Sequence, residues 1–190
     1  MAYRVMIAGG RKLSDEMAGM LKAAGHDDIY MAYDAASAVE TAGSKHPDVV
    51  LMDVELPGGD SVEAVRAILL ARPVPVIMHA SYSQVEKVQE AVETGVSAHL
   101  FRPVTAETLL ATLELGMSRF RQCQVLHAEI SDCRETLRIR KLVERAKGIM
   151  MKRNRMTEEE AFLKIQAMSR NNNIPMEKVA ESIITANELL

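Results

Sequence analysis

No stretch of this sequence approaches the roughly 18 uninterrupted apolar residues that a membrane-spanning helix needs, so no membrane segment is expected. The opening residues, Met1-Ala2-Tyr3-Arg4-Val5-Met6-Ile7, reach Gly9-Gly10-Arg11-Lys12 before an apolar run of signal-peptide length builds up, which points to the cytoplasm. Cysteine is scarce, with only Cys123 and Cys133. On one helix they would stand about 15 Å apart along the axis, too far for an internal disulfide. No second pair of ligands accompanies them, as a zinc site would require. They read as interface residues, the alternative being a disulfide between chains. His79 follows the fourth apolar run, at the rim where a ligand site is expected, and His46 and His99 are scattered elsewhere, without HxxxH or HExxH spacing. No P-loop, nucleophile–base–orienter arrangement, internal repeat or low-complexity stretch is present. No enzyme activity, metal site or cofactor is therefore expected.

What is present suits packed cores: 48% of residues are hydrophobic and the mean hydropathy is −0.03. The net charge of −3 is unevenly spread. Residues 1–103 carry 9 Lys and Arg against 14 Asp and Glu, whereas residues 137–190 carry 11 against 7. An acidic front and a basic back predict two domains with different partners.

The first hundred residues alternate short apolar runs with amphipathic segments. Arg4–Ala8, Ile29–Ala32, Val49–Met52, Val74–Met78 and Ala98–Phe101 read as strands. Ser14–Ala24, Ala35–Gly43, Ser61–Ala71 and Ser83–Thr94 read as helices between them. This alternation predicts an α/β fold, a five-stranded parallel sheet covered on both faces, with its ligand site beyond the carboxyl ends of the strands.

From Ala106 to about Lys152 there is no proline, a run too long for one helix of a compact domain. Leu113, Gly116, Phe120 and Cys123 keep 3–4 spacing, and Leu126, Ile130, Cys133 and Leu137 resume it after a three-residue step. This predicts a coiled-coil seam with a stammer and hence a homodimer, the competing reading being packing of the helix on its own domain. Thr157 followed by Glu158-Glu159-Glu160 forms a capping box that opens a second helix to about Arg170. Asn171-Asn172-Asn173 breaks it, and Ile174-Pro175 opens a third helix to near Leu189.

The order of elements, with Val50-Leu51-Met52-Asp53-Val54-Glu55-Leu56-Pro57-Gly58-Gly59-Asp60-Ser61, resembles the CheY-like receiver domain of two-component response regulators. The resemblance covers residues 1–118. It implies that Asp53 occupies the phosphoacceptor position and that Pro57 and Asp60 belong to the following loop. A receiver also needs an acidic pair to hold Mg²⁺, a hydroxyl and a lysine for the phosphoryl oxygens. Here the acidic pair falls on Gly9 and Gly10, the hydroxyl position on Ala80 with Ser81 next to it, and the lysine on Arg102. Two of three carboxylates are missing, so a degenerate receiver without Mg²⁺ is expected, with Asp53 paired to Arg102.

Ala146-Lys147-Gly148-Ile149-Met150-Met151-Lys152-Arg153, then Thr157 to Phe162, Ala167-Met168-Ser169-Arg170 and Val179-Ala180, look like an ANTAR domain, named for the AmiR and NasR transcription antitermination regulators. This resemblance covers residues 135–190, with residues 106–136 as a helical linker or coiled coil. It implies binding of stem-loops in nascent RNA, which prevents a terminator from forming. Arg138, Lys141, Arg145 and Lys152 recur near one helix face, with Lys147 and Arg153 beside them. Such a stripe can neutralise phosphates and stack on loop bases; the alternative is a solvated helix face, which the full ANTAR-like pattern disfavours. Ala146, Gly148, Ala161, Ala167 and Ala180 are expected to permit close helix packing. Phe162 is either a core anchor or a base-stacking platform, the core being preferred.

The leading expectation is an RNA-binding antiterminator controlled by a regulatory protein partner or by dimerisation. The alternatives are a response regulator phosphorylated on Asp53 by a histidine kinase, a DNA-binding regulator and a protein scaffold. Against DNA binding, the third helix has Lys178 as its only basic residue.

Overall fold

The structure is a computed structural model that describes residues 2–188. The chain divides into two compact units, residues 1–124 and 125–190. Among the described residues no helix is long and apolar enough to cross a membrane.

The first unit alternates β1 (Val5–Ala8), α1 (Arg11–Ala23), β2 (Ile29–Ala32), α2 (Ala35–Lys45), β3 (Val49–Asp53), α3 (Ser61–Ala71), β4 (Val76–Ala80), α4 (Val85–Glu93) and β5 (Ala98–Phe101). It closes with the first part of α5 (Ala106–Asn154). The five strands are parallel in the order β2-β1-β3-β4-β5, so the sheet and its order of elements follow the α/β pattern of the sequence. β1, β3 and β4 are buried along their whole length, as expected of a sheet covered on both faces. One face packs Val50, Met52, Val65 and Ile68. The other packs Leu21, Leu51 and Ile77 against Leu109, Leu113 and Met117 of α5.

Local chemistry sets the element ends. Asp34 caps α2 in a capping box with Ser37, and Asp60 caps α3 by accepting from Val62 and Glu63. β4 starts two residues later than the apolar run suggests and extends to Ala80. Pro75 lacks an N–H and enters the ladder only as an acceptor, its carbonyl taking the Val50 N–H at 2.9 Å. The consequence is that His79, expected after the strand, lies inside the sheet. Arg4 clasps Asp48 with Nη2 at 2.7 Å and Nε at 3.2 Å, tying the chain before β1 to the turn before β3.

Part of the predicted seam belongs to this core. Leu113 is fully buried, and a Cβ on Gly116 would stand 3.1 Å from two side-chain carbons of Ile77. The glycine therefore lets α5 approach the sheet. This half of the spacing pattern reflects packing on the helix's own domain, because an amphipathic helix covering a sheet and one entering a coiled coil share the same periodicity.

The second unit contains the remainder of α5 with α6 (Glu158–Asn172) and α7 (Met176–Glu188). The expected capping box is present: the Thr157 N–H donates to Glu160 Oε2 at 2.8 Å, and the Glu160 N–H to Thr157 Oγ1 at 3.2 Å. Asn173 ends α6 in the left-handed region, φ 51°, a conformation asparagine tolerates well. The expected end of the third helix at Leu189 lies outside the described residues. Val143, Ala146, Met150, Ala161, Ile165, Val179, Ala180 and Ile184 form the core. The proline-free run is one continuous helix from Ala106 to Asn154, the long helix expected of a run that exceeds one compact domain. Residues 121–138 of it are exposed on every side, Cys123 and Cys133 included.

Candidate functional site

Asp53 ends β3 at the carboxyl edge of the sheet and is 5% exposed. Its Oδ1 accepts the backbone N–H of Glu55 at 2.9 Å, and its Oδ2 accepts from Nη2 of Arg102 at 3.1 Å. His79, the strand partner of Asp53 on β4, brings Nδ1 to 3.5 Å from the same oxygen. Burial pushes the Asp53 carboxyl up, and His79, the Glu55 N–H and the charge of Arg102 outweigh this and hold it below the ordinary carboxylate value. Neither nitrogen of the buried His79 ring has a hydrogen-bond partner.

The two glycines differ. A Cβ on Gly9 would meet Asp53 Cβ at 3.2 Å, so the carboxylate sits where a side chain at Gly9 would begin. Gly10 is exposed at the N-cap of α1, and a Cβ there would meet nothing within 4 Å. Ala80 is buried in β4 and offers no hydroxyl. Ser81 is occupied by its own turn, donating both its N–H and its hydroxyl to Gln84 Oε1, at 2.8 and 2.9 Å. The cleft over Asp53 is lined by Gly10, Arg11, Lys12, Leu13, Glu16, Glu55 and Arg102.

The fold thus gathers Asp53, Gly9 and Arg102, sets Gly10 at the rim, and gives Ala80 and Ser81 no bond to Asp53. The sequence placed His79 at the same rim, after the fourth strand, without pairing it with Asp53. Its signal was position alone, since the strand register sets it opposite Asp53. Among the described residues no three His, Cys, Asp or Glu side chains converge as metal ligands. Of the three carboxylate positions of a receiver Mg²⁺ site, only that of Asp53 is filled, one of its oxygens already accepting from a guanidinium, while Glu16 and Glu55 line the same cleft.

In the second unit the basic stripe separates into two groups. Arg138 pairs with Glu135, Glu177 and Glu181, linking α5 to α7. Arg145 Nη2 stands 2.8 Å from Glu188. Lys147 is only 7% exposed, its Nζ 2.8 Å from Glu144 and 2.7 Å from Glu158, and these carboxylates hold its pKa above the usual lysine value. Within this unit Arg138, Arg145 and Lys147 of the expected stripe therefore carry ion pairs. Lys141, Lys152 and Arg153 are exposed and form no ion pair among the described residues.

Ala146, Ala161 and Ala180 are fully buried in the three-helix core. Three packing expectations are corrected, the first being Ala167, which is exposed on α6. Phe162 is 39% exposed, because it lies about 100° round α6 from the buried Ala161. A Cβ on Gly148 would meet nothing within 4 Å, so no close approach requires that glycine.

Comparison with known proteins agrees with this architecture. Residues 10–114 match the response regulator receiver domain, and residues 131–184 match the ANTAR domain. The chain is 36% identical over 182 residues to the transcriptional regulatory protein PdtaR of Mycobacterium tuberculosis, covering 95% of this chain and 89% of the relative. Among solved structures, NtrX from Brucella abortus superposes with a TM-score of 0.62 at 24% identity, over 77% of this chain and 34% of NtrX. The present chain therefore spans about a third of that protein's length, and the likeness concerns fold alone. The receiver domain of a modulated diguanylate cyclase from Desulfovibrio desulfuricans gives 0.59 at 25% identity, over 64% of this chain and 98% of that domain. The chemotaxis response regulator CheY4 of Vibrio cholerae gives 0.56 at 26%, over 61% and 99%. A parallel sheet with an aspartate at the carboxyl edge of its third strand defines a receiver fold. The chain belongs to the response regulators that join a receiver domain to an ANTAR domain, a regulatory family.

Proposed function

We propose that this protein is an RNA-binding transcription antitermination regulator whose receiver-like domain acts without Mg²⁺-dependent phosphorylation. The observation that carries the RNA reading is the ANTAR match over residues 131–184, where Lys141, Lys152 and Arg153 remain free for phosphates. Stem-loops in nascent transcripts supply both features such a surface uses: phosphate charge, and unpaired bases that stack on arginine. Control passes through a regulatory protein partner or through self-association of the exposed stretch of α5. In the pocket, the Arg102 guanidinium supplies a built-in positive charge beside Asp53, which is the reason for preferring a degenerate receiver.

The test is binding by the full chain of RNA stem-loops with unpaired purine-containing loops, against duplex DNA of equal length. Preference for the stem-loop is expected, and preference for the duplex would overturn the reading. The DNA alternative is further weakened because Lys178, the only basic residue of α7, is itself 2.9 Å from Glu181. The reading of a response regulator phosphorylated by a histidine kinase retains one favourable observation, the position of Asp53 at the strand end. It predicts stoichiometric modification of Asp53 coupled to a change in assembly.

A further inference from the structure

The acidic edge of α7 lies along the basic edge of α5. Arg138 pairs with Glu177 and with Glu181, the latter at 3.7 Å, and Arg145 stands 2.8 Å from Glu188. Arg138 and Arg145 are seven residues apart, as are Glu181 and Glu188, so the two edges keep one register. Lys141 lies between the two arginines on the same face and forms no ion pair among the described residues. Thr185, four residues after Glu181 and three before Glu188, brings no carboxylate to that step.

Helix stability alone does not account for acid here. Glu188 closes α7, whose last turn has no basic residue, and a carboxylate at a helix C-terminus opposes the helix dipole. Its one ion-pair partner among the described residues is Arg145. As bonds the pairs are weak, because Arg145 and Glu188 are both more than half exposed. What fixes the carboxylates in place is the packing of Val179, Ala180 and Ile184 in the three-helix core. A phosphate approaching Arg138 or Arg145 therefore meets carboxylates whether the pairs are open or closed.

We propose that Glu177, Glu181 and Glu188 of α7 stand in for RNA phosphates and mask Arg138 and Arg145, so that α7 is a built-in competitor of the RNA backbone. This rests on the RNA reading proposed above and adds to it the regulation of the same surface. Lys141 is the one open cation of the row, and a phosphate that reaches it has a masked arginine on each side. Glu135, on α5 itself, holds a further part of the Arg138 charge. The repulsion falls on every polyanion alike, so the mask lowers affinity for nucleic acid in general and leaves discrimination to contacts with bases.

The full chain, as wild type and with Glu177→Gln, Glu181→Gln and Glu188→Gln together, is titrated at several salt concentrations with an RNA stem-loop bearing an unpaired purine-containing loop. Unmasking two arginines should tighten binding about tenfold and steepen the logarithmic salt slope by roughly one to two units. Glu188→Gln alone, at the exposed end of α7, should give about half that steepening and keeps the test open if the triple variant fails to fold. Adding Arg138→Ala and Arg145→Ala to the triple variant should abolish the gain, whereas the same pair in the wild-type background should leave the slope almost unaltered. A folded Glu188→Gln protein with the wild-type slope would overturn the mask and leave the RNA reading standing. A gain that survives the loss of both arginines would overturn their assignment as the masked groups. Absence of binding by wild type and every variant would overturn both readings, and binding that emerges only after the glutamine substitutions would support both.

Discussion

The guanidinium of Arg102 donates to Oδ2 of Asp53 across 3.1 Å, linking the residue after β5 to the last residue of β3. Asp53 has its other oxygen on the Glu55 N–H, so both oxygens of the carboxylate already accept a hydrogen bond. In this arrangement the counter-charge belongs to the chain itself, whereas a metal ion would have to be bound from solution.

Incubation with Mg²⁺ and a small phosphodonor, or with beryllofluoride, should leave oligomeric state and RNA affinity nearly unchanged. Mass spectrometry of the treated protein decides the matter. Stoichiometric phosphoryl-Asp53 accompanied by dimerisation would refute the degenerate-receiver proposal.

The glycine pair separates two effects that the sequence makes look alike. Gly9→Asp would press a Cβ against Asp53 at 3.2 Å and add a second carboxylate without a cation, so a loss of about 1–3 kcal/mol is expected. Gly10→Asp enters open space at the N-cap of α1, where aspartate is favoured, and should gain a few tenths of a kcal/mol. Denaturant unfolding of both variants measures the contrast, and equal effects would contradict it.

Asp48 should make stability depend on acid pH. Its hydrogen bonds with Arg4 hold its carboxyl below the ordinary value. A group depressed in the folded state contributes stability that is fully present above the unfolded pKa of about 3.9 and is lost as pH falls through the lower folded value. Asp48→Asn should therefore be less stable than wild type at neutral pH, with the difference closing below about pH 4. A difference that stays constant down to pH 2 would show that the clasp is not the cause.

In the helical unit, Gly148→Ala should stabilise by about 0.5–1 kcal/mol, since the new methyl meets open space and helix propensity rises. Ala146→Leu should instead lose about 1–3 kcal/mol, because Ala146 is fully buried. Thermal unfolding of each variant provides the readout.

Replacing Lys141, Lys152 and Arg153 with alanine should weaken RNA binding and reduce the logarithmic salt slope by roughly two to three units. Lys147→Ala should lower thermal stability while leaving that slope almost unaltered, because its ammonium is held by Glu144 and Glu158. Titrations at several salt concentrations distinguish the two, and a Lys147→Ala slope change equal to the triple variant's would reverse the assignment.

The sequence by itself determined the order of elements, the capping box at Thr157 and the loss of pocket ligands at Gly9. These are properties of single residues or of local periodicity, and folding cannot supply a side chain that is not encoded. It also placed Asp53 and Arg102 in one pocket, through the order of strands in a receiver-like sheet. Tertiary structure decided the rest. His79 became a neighbour of Asp53 only through the register of β3 and β4, and β4 itself was displaced by a proline that cannot donate. Arg138, Arg145 and Lys147 look no different in sequence from Lys141, Lys152 and Arg153. Only the folding of α6 and α7 against α5 shows that Glu158, Glu177 and Glu188 neutralise the first three. Gly116 likewise reads as a seam position until the sheet stands beneath it. Periodicity states which face of a helix is apolar, and what covers that face depends on chain segments far away in sequence.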